Sequence, residues 1–547
     1  MRDGAVRLDT TEDLAPRDRS RSAAAMAKLF APLDRLLGCG GDPRLLLNAA
    51  TGANEYGCQP FPCPDTLSFA SSTATSISER AYDRASRARD SMMQSAISVG
   101  IDAAFDGRIE AMRDELKNHL GLENADVVFS PSGTDSQLHA LFLTRALLGP
   151  ALTTVIVAAD QTGSGTAYTA RGCHFSAATA NGSPVRKSEP VAGLAHSITS
   201  VAVELLDDDG ECRPQAETDS RVLEAVEQSI ASGTGVLLQI MDSSKLGWRA
   251  PSDQCLDEIS ARWPDQVQIV VDACQMRLGG PRLKKYLDRG YLVIVTGSKF
   301  FTGPPFSGAL LVPADLDKTI DAITEIASGL CEYSSRSDWP MKWQGLRSRF
   351  PIRANFGQWL RWEAALEEIR AYHSVPDEFR LTALTAFGEG VESIIASSPS
   401  LHLLAPQQRS EDRGLDDELA QRTIFPFVIR RDDRVLALDG CRKLYRALAR
   451  DAHDRVSAEV REPDAEIAAQ VCLIGQPVAL GQSAPDPVAV LRICAGARLV
   501  TETWSSDADA ARGNLQRELG RVGAIVAKIE WLLARLDGLN WTEVGRA

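Results

Sequence analysis

Between about Gly121 and Pro313 the chain repeats one unit: a short apolar run ending in polar residues or glycine, then a stretch with helical spacing. The runs are Val127–Ser130, Thr153–Ala159, Val236–Met241, Val267–Asp272, Leu292–Thr296 and Gly308–Val312. Several are unbroken stretches of Val, Ile and Leu, the composition of parallel strands covered on both faces. Strands alternating with helices dictate an α/β fold whose sheet is mostly parallel and doubly wound. Ligands bind such a sheet outside the carboxyl ends of its strands. The residues just after each run are therefore the ones to read for chemistry.

At 547 residues the chain exceeds what one hydrophobic core supports. We divide it into a leader and amino-terminal arm over 1–50, a large domain over 51–349 and a smaller α+β domain over 350–547. Met1 to Ser22 mixes Arg with Asp, lacks the apolar core of a secretory signal and reads as a disordered leader or tail. After Pro313, Asp315 to Ala327 reads as helical, a Ser/Arg/Trp-rich connection runs to about Phe350, and Asn355 to Tyr372 reads as a long helix. Strand candidates follow at Thr423–Ile429, Ala468–Leu480 and Val488–Ile493. The closing helix carries Leu515, Leu519, Val522, Val526, Ile529, Leu533 and Leu536 in steps of four and three, one apolar stripe read as packing onto its own domain.

A net charge of −14 without a long basic run argues against nucleic acid or an anionic membrane as partner. No apolar stretch reaches the length needed to span a bilayer. The eleven cysteines are scattered singly and none shows zinc-ligand spacing, so we expect no metal and reduced thiols in a cytoplasm.

Four segments carry chemistry. Phe129-Ser130-Pro131-Ser132-Gly133-Thr134-Asp135-Ser136 joins a strand to a helix. Its glycine admits an anion to the backbone, and its hydroxyls sit where a helix dipole favours phosphate, although the same residues make an ordinary cap. The Gly-Lys-Ser/Thr ending of a Walker-type loop is missing. Ile269-Val270-Val271-Asp272-Ala273-Cys274-Gln275 ends a buried run on a carboxylate, which is costly unless a cation such as a protonated pyridine meets it. Capping the next turn is the plainer use of Asp272.

Ile294-Val295-Thr296-Gly297-Ser298-Lys299-Phe300-Phe301 places a lysine directly after a buried run. Such an amine forms an imine with an aldehyde once desolvation or a nearby cation lowers its pKa, and Thr296 and Ser298 could reach a phosphate. The side chain could equally snorkel from the strand end. Val490-Leu491-Arg492-Ile493 sets an arginine inside an apolar strand, where its planar fork calls for a substrate carboxylate or an internal salt bridge.

In order and spacing these segments resemble the fold-type I pyridoxal-phosphate enzymes, specifically the class V aminotransferase and cysteine desulfurase group, over roughly residues 65 to 500. The family's Gly-Ala-Thr-Glu-like loop is matched by Ser132, Gly133, Thr134 and Asp135, and its Val-Asp-Ala-x-Gln by Val271 to Gln275. Its Ser-x-His-Lys is matched by Thr296-Gly297-Ser298-Lys299, and the arginine of its Leu-Arg-Ile/Phe-Ser strand by Arg492. The resemblance implies pyridoxal 5'-phosphate as cofactor, held as a Schiff base by Lys299, which also serves as catalytic base. It implies that Asp272 faces the pyridine nitrogen and Gln275 the ring hydroxyl. Ser132, Gly133, Thr134, Thr296 and Ser298 would surround the phosphate, Ser243 would join the cofactor contacts, and Arg492 would bind the substrate carboxylate. A homodimer with sites between subunits is implied as well.

The sequence also departs from the family. Where desulfurases carry a nucleophilic cysteine on a loop, this chain reads Val471-Cys472-Leu473-Ile474-Gly475-Gln476, with Cys472 inside an apolar run and Gln476 nearer the loop position. The place of the ring-stacking histidine has Asp160-Gln161-Thr162-Gly163-Ser164, so the stacking residue is unassigned, and His174 lies too far on. Ser243-Ser244 replace a pair of asparagines, and Lys245 beside them is a rival imine lysine with less fitting flanks. Tyr56, in Asn54-Glu55-Tyr56-Gly57, reads either as a substrate contact from the amino-terminal arm or as part of a surface loop. We therefore expect an enzyme acting on an amino acid or amine: an aminotransferase first, a C–S or α,β-eliminating lyase second. A catalytically silent cofactor-binding protein comes third, because Lys299, Asp272 and Arg492 are all intact.

Overall fold

A computed structural model of the chain describes residues 16–406, 418–419, 421–432, 434–452, 462–481 and 486–535. Strand β1 (Leu67–Phe69) comes first. Seven strands follow: β2 (Ala125–Ser130), β3 (Leu152–Val157), β4 (Ile198–Val203), β5 (Gly235–Met241), β6 (Val267–Asp272), β7 (Leu292–Thr296) and β8 (Gly308–Pro313). These seven form one sheet in the order β2-β8-β7-β6-β5-β3-β4. β8 runs antiparallel to both its neighbours, and every other pair is parallel.

Successive side chains of a strand point to opposite faces, and here both faces are covered. Val127 and Phe129 of β2 join one core cluster while Val128 joins another. Val293 and Val295 of β7 divide from Leu292 and Ile294 in the same way. Each such side chain, fully buried, contributes about 1.5–3 kcal/mol. This is why the runs are unbroken in Val, Ile and Leu and do not alternate with polar residues. The helix Gly133–Leu148 covers one face through Leu138 and Leu141, and Phe356–His373 covers the other through Trp359 and Trp362.

The remaining strands are β9 (Leu401–Leu403), β10 (Ile424–Arg431), β11 (Arg434–Val435), β12 (Cys472–Ala479) and β13 (Ala489–Cys494). They build a second sheet, β1-β12-β13-β10-β11 with β9 on β10, and helix Ala508–Leu533 packs Val522, Ile525, Val526 and Ile529 into the shared core. The architecture is thus α/β with a mostly parallel doubly wound sheet and a smaller α+β part.

Several expectations are corrected. β1 pairs in parallel with β12, so residues 67–69 belong to the second sheet and a cut into 51–349 and 350–547 does not follow the sheets. Three residues carry no periodicity, and only the distant partner makes them a strand. β4 is a half-exposed edge strand whose Thr and Ser residues hide the apolar signal. Only Asp317–Asp321 of the stretch from Asp315 to Ala327 is α-helical, and Glu462–Ala469, rich in Ala and Glu, is helical where a strand was expected to start at Ala468. A helix occupies Pro16–Leu29, so the expected leader is ordered from Pro16; residues 1–15 and Leu536 lie outside the described residues. Among the described residues no helix is long and apolar enough to cross a membrane.

Candidate active site

The carboxyl ends of the parallel strands open on one cavity of about 220 Å³. The loop after β2 contributes Ser132, Gly133 and Thr134, and the segment after β3 contributes Gln161, Thr162 and Ser164. β5 leads to Ser243 and Lys245, β6 to Asp272, Cys274 and Gln275, and β7 to Thr296, Ser298 and Lys299. Arg492 of β13 and Gln476 of β12 close the cavity from the second sheet, while Arg44, Tyr56 and Thr73 reach it from the amino-terminal side. Every site residue nominated from the sequence lines this one space.

Two amines share it. Lys299 Nζ donates to the Thr73 carbonyl at 2.5 Å. Burial, and after it the guanidiniums of Arg492, Arg44 and Arg277, lowers its pKa to about 8, against an opposing pull from Cys274. Lys245 is lowered to about 8 as well, by burial first and then by Arg492 and Lys299.

Asp272 ends β6 and accepts from the Cys274 amide at 3.1 Å. Burial raises its pKa, and Lys299 and Lys245 work against that shift. Gln275 donates to the Ser72 carbonyl at 3.1 Å. Arg277, which sequence reasoning missed, is buried and holds this corner together. It donates to the Gln275 carbonyl at 2.9 Å, to Gln275 Oε1 at 2.8 Å, to Ser71 Oγ at 2.9 Å and to Thr423 Oγ1 at 2.9 Å. A buried arginine needs this many acceptors to offset its desolvation.

At the loop after β2, Ser132 caps the helix Gly133–Leu148, accepting from the Asp135 amide at 3.3 Å. The Gly133 and Thr134 amides, ahead of it, have no intrahelical acceptor, so they are open donors beside the hydroxyls of Ser132 and Thr134. Gly133 is required sterically, because a Cβ there would lie 2.4 Å from Cys274 Sγ. Thr296 Oγ1 turns back to the Cys274 carbonyl at 2.7 Å. Ser243 Oγ is buried without a partner among the described residues.

Arg492 is 1% exposed, yet it forms no ion pair among the described residues. Its fork donates to the Lys245 carbonyl at 3.0 Å, the Gln476 carbonyl at 2.8 Å and Thr73 Oγ1 at 3.3 Å, leaving Nε without a partner. An internal salt bridge is therefore not its use.

Tyr56 sits half-buried in a turn and lines the cavity; burial pushes its hydroxyl up to about 12 against the pull of Arg44. Arg44, also missed, is gripped by Asp42 through two bonds, at 2.9 and 2.5 Å. No motif marks Arg44 or Arg277; their use comes from contacts far apart in sequence. His174 is bonded to the Tyr333 hydroxyl at 2.6 Å and does not line the cavity. Cys472 is buried in β12, outside the cavity lining, and burial pushes its thiol up to about 11. Among the described residues no cluster of His, Cys, Asp and Glu could hold a metal ion.

No known family model matches the chain, and neither does any curated protein. Among solved structures the chain is similar to a C-DES mutant with glycine covalently linked to its PLP cofactor, at TM-score 0.44 and 14% identity over 83% of this chain and 97% of that one. A complex of the cystine C–S lyase C-DES with its reaction product cysteine persulfide gives TM-score 0.43 and 14% identity over the same shares, 83% and 97%. A NifS-like protein from Rickettsia africae ESF-5 gives TM-score 0.45 and 10% identity over 86% of this chain and 99% of that one.

Proposed function

We propose that this chain is a pyridoxal-phosphate enzyme acting on an α-amino acid, with elimination at the β-carbon as its reaction. The observation that carries the proposal is the convergence of Lys299, Asp272 and Arg492, from two neighbouring strands and a second sheet, on one cavity. The residues fit the cofactor. Lys299 would hold it through its amine, and Asp272, a buried carboxylate with no arginine against it among the described residues, would meet the ring nitrogen. The hydroxyls of Thr134 and Ser298 and the open amides of the helix start would take its phosphate, with Ser243 Oγ as a further donor. Ser132 and Thr296, whose hydroxyls donate to Asp135 and to the Cys274 carbonyl, would turn toward it, and Gln275 would face the ring hydroxyl. Once bound, pyridoxal phosphate supplies an electron sink for bonds at the substrate α-carbon.

The chain's own groups do the rest. Arg492 has Nε to spare for the substrate carboxylate. The α-proton goes to the Lys299 amine, whose lowered pKa makes the neutral base accessible near neutral pH. Transamination, the first reading of the sequence, needs only that one amine. Lys245 adds a second in the same cavity, and this tips the reading to elimination. As the bond from the β-carbon breaks with its electron pair on the leaving atom, the Lys245 ammonium hands that atom a proton. A thiolate is not required: Cys472 lies outside the lining, and burial beside Asp272 pushes the Cys274 thiol far up. A homodimer, implied by the family resemblance, belongs to the same proposal and is checked by light scattering at micromolar concentration.

The test is to mix the yellow protein with single amino acids while following cofactor absorbance and products. A 2-oxo acid, ammonia and a released side-chain group, with the starting absorbance regained, support elimination. Conversion to a stable pyridoxamine form overturns it in favour of transamination. A protein that takes up no pyridoxal phosphate overturns the whole reading.

A further inference from the structure

We propose that the substrate's short side chain carries an anionic group of its own and that Lys245 is its counter-ion. The inference rests on the function proposed above and follows from the charges that line the cavity. Among the described residues four lining side chains are cationic, Arg44, Lys245, Lys299 and Arg492, against one anionic, Asp272. Arg44 is already neutralised by Asp42 through two bonds. Cofactor and substrate then account for three of the others: Lys299 holds the cofactor, Asp272 meets its ring nitrogen, and Arg492 takes the α-carboxylate. Lys245 is left over.

An ammonium desolvated in a partly enclosed cavity is costly without an anion. No hydrogen bond or ion pair holds the Lys245 amine among the described residues. Among the described residues the carboxylates that act on it are Asp272 and Asp160, and both are engaged elsewhere. Asp272 accepts from the Cys274 amide, and Asp160 accepts from the amides of Leu205 and Leu206 at 3.0 and 3.2 Å. Position says which ligand it serves. The Lys245 carbonyl accepts from Arg492 Nη1 at 3.0 Å, so the lysine is rooted at the carboxylate-binding arginine, and a hydroxyl cradle after β2 and β7 serves the phosphate. Although lowered to about 8, its pKa leaves it a cation at neutral pH. An amino acid held by Arg492 would therefore present its side chain to a second positive charge. An ammonium paired with a departing anion is also placed to protonate it.

Calorimetric titration of the cofactor-loaded full-length protein at pH 7 tests this with succinate and butyrate, which share a four-carbon chain but carry two carboxylates and one. We expect succinate to bind at least about tenfold more tightly, roughly 1.4 kcal/mol. Lys245→Met should abolish the preference while leaving butyrate binding in place, which shows the cavity intact, and Lys245→Arg should restore most of it. Equal binding of the two acids by the wild-type protein, or a preference that survives Lys245→Met, overturns the inference alone. A protein without cofactor absorbance overturns the reading beneath it, and the inference falls with it.

Discussion

Lys299 and Thr73 stand 226 residues apart in the chain, yet the lysine amine donates to the threonine carbonyl at 2.5 Å. Thr73 Oγ1 meanwhile accepts from Arg492 and from the Gln476 amide. The amino-terminal segment thus orients the reactive amine and the carboxylate-binding arginine at once. We predict that borohydride reduction of the protein with pyridoxal phosphate fixes the cofactor on Lys299, as read by peptide mass. Lys299→Ala should give no adduct; an adduct on Lys245 in that variant would exchange the roles of the two lysines.

The depressed pKa of Lys299 has a sign that can be checked. Only the neutral amine attacks an aldehyde. An amine lowered from an ordinary 10.5 to about 8 is therefore largely reactive above pH 8 and progressively blocked below it. The rate at which cofactor-free protein captures pyridoxal phosphate should rise with pH and level off just above 8. Arg492 is one of the cations that depress Lys299, so Arg492→Gln should move the midpoint upward. A midpoint near 10 in the wild-type protein contradicts this account of the site.

Arg492→Ala should lower kcat/KM for an α-amino acid by about 2–5 kcal/mol, the usual loss when one partner of a buried charged pair is removed. Turnover of the corresponding amine, which lacks the carboxylate, should fall far less. An equal loss for both would mean that Arg492 acts only as a brace between the Lys245 and Gln476 carbonyls.

Cys472→Ala should leave turnover nearly intact and cost at most about 1–2 kcal/mol of stability, since it removes one small buried group. Iodoacetamide should label the exposed Cys39 long before the buried Cys472. Loss of activity with a normal cofactor spectrum would instead make Cys472 a sulfur nucleophile.

Gly133→Ala should weaken cofactor uptake, because its new methyl would lie 2.4 Å from Cys274 Sγ and force the helix start aside. The double variant with Cys274→Ala removes the obstructing sulfur and should recover most of the affinity. A double-mutant cycle on the dissociation constant measures that coupling. Additive losses would mean that the Gly133 backbone is strained for another reason.

How much of this was legible depended on where each residue's partner lies. The ends of β2, β5, β6 and β7 could be read because an unbroken apolar run is itself a local signal, and Asp272 and Lys299 break it at a definite point. Arg492 stood out for the same reason, a charge within an apolar strand. Arg277 gave no such signal: it follows Met276 in a turn, and only its bonds to Ser71, Gln275 and Thr423 reveal its use. Thr73 and Arg44 are ordinary loop residues until the amino-terminal segment folds over the strand ends. Tyr56 could be nominated but not assigned, because an Asx turn at Asn54, accepting from the Tyr56 amide at 3.0 Å, looks the same on a surface as over a cavity.

The parallel pairing of β1 with β12 bears on how the molecule is made. Arg492 and Thr73 meet across 419 residues of chain. Contacts of such long separation must close a very large loop before they return any stabilisation, and they form late and slowly. During synthesis the doubly wound sheet can complete itself while the second sheet still lacks β12 and β13. Until those strands emerge, β1 has no partner to pair with and the cavity has no wall on the Arg492 side. A fragment that stops before Cys472 would then hold Asp272 and Lys299 in an open cleft, able to meet an aldehyde but not to recognise a carboxylate.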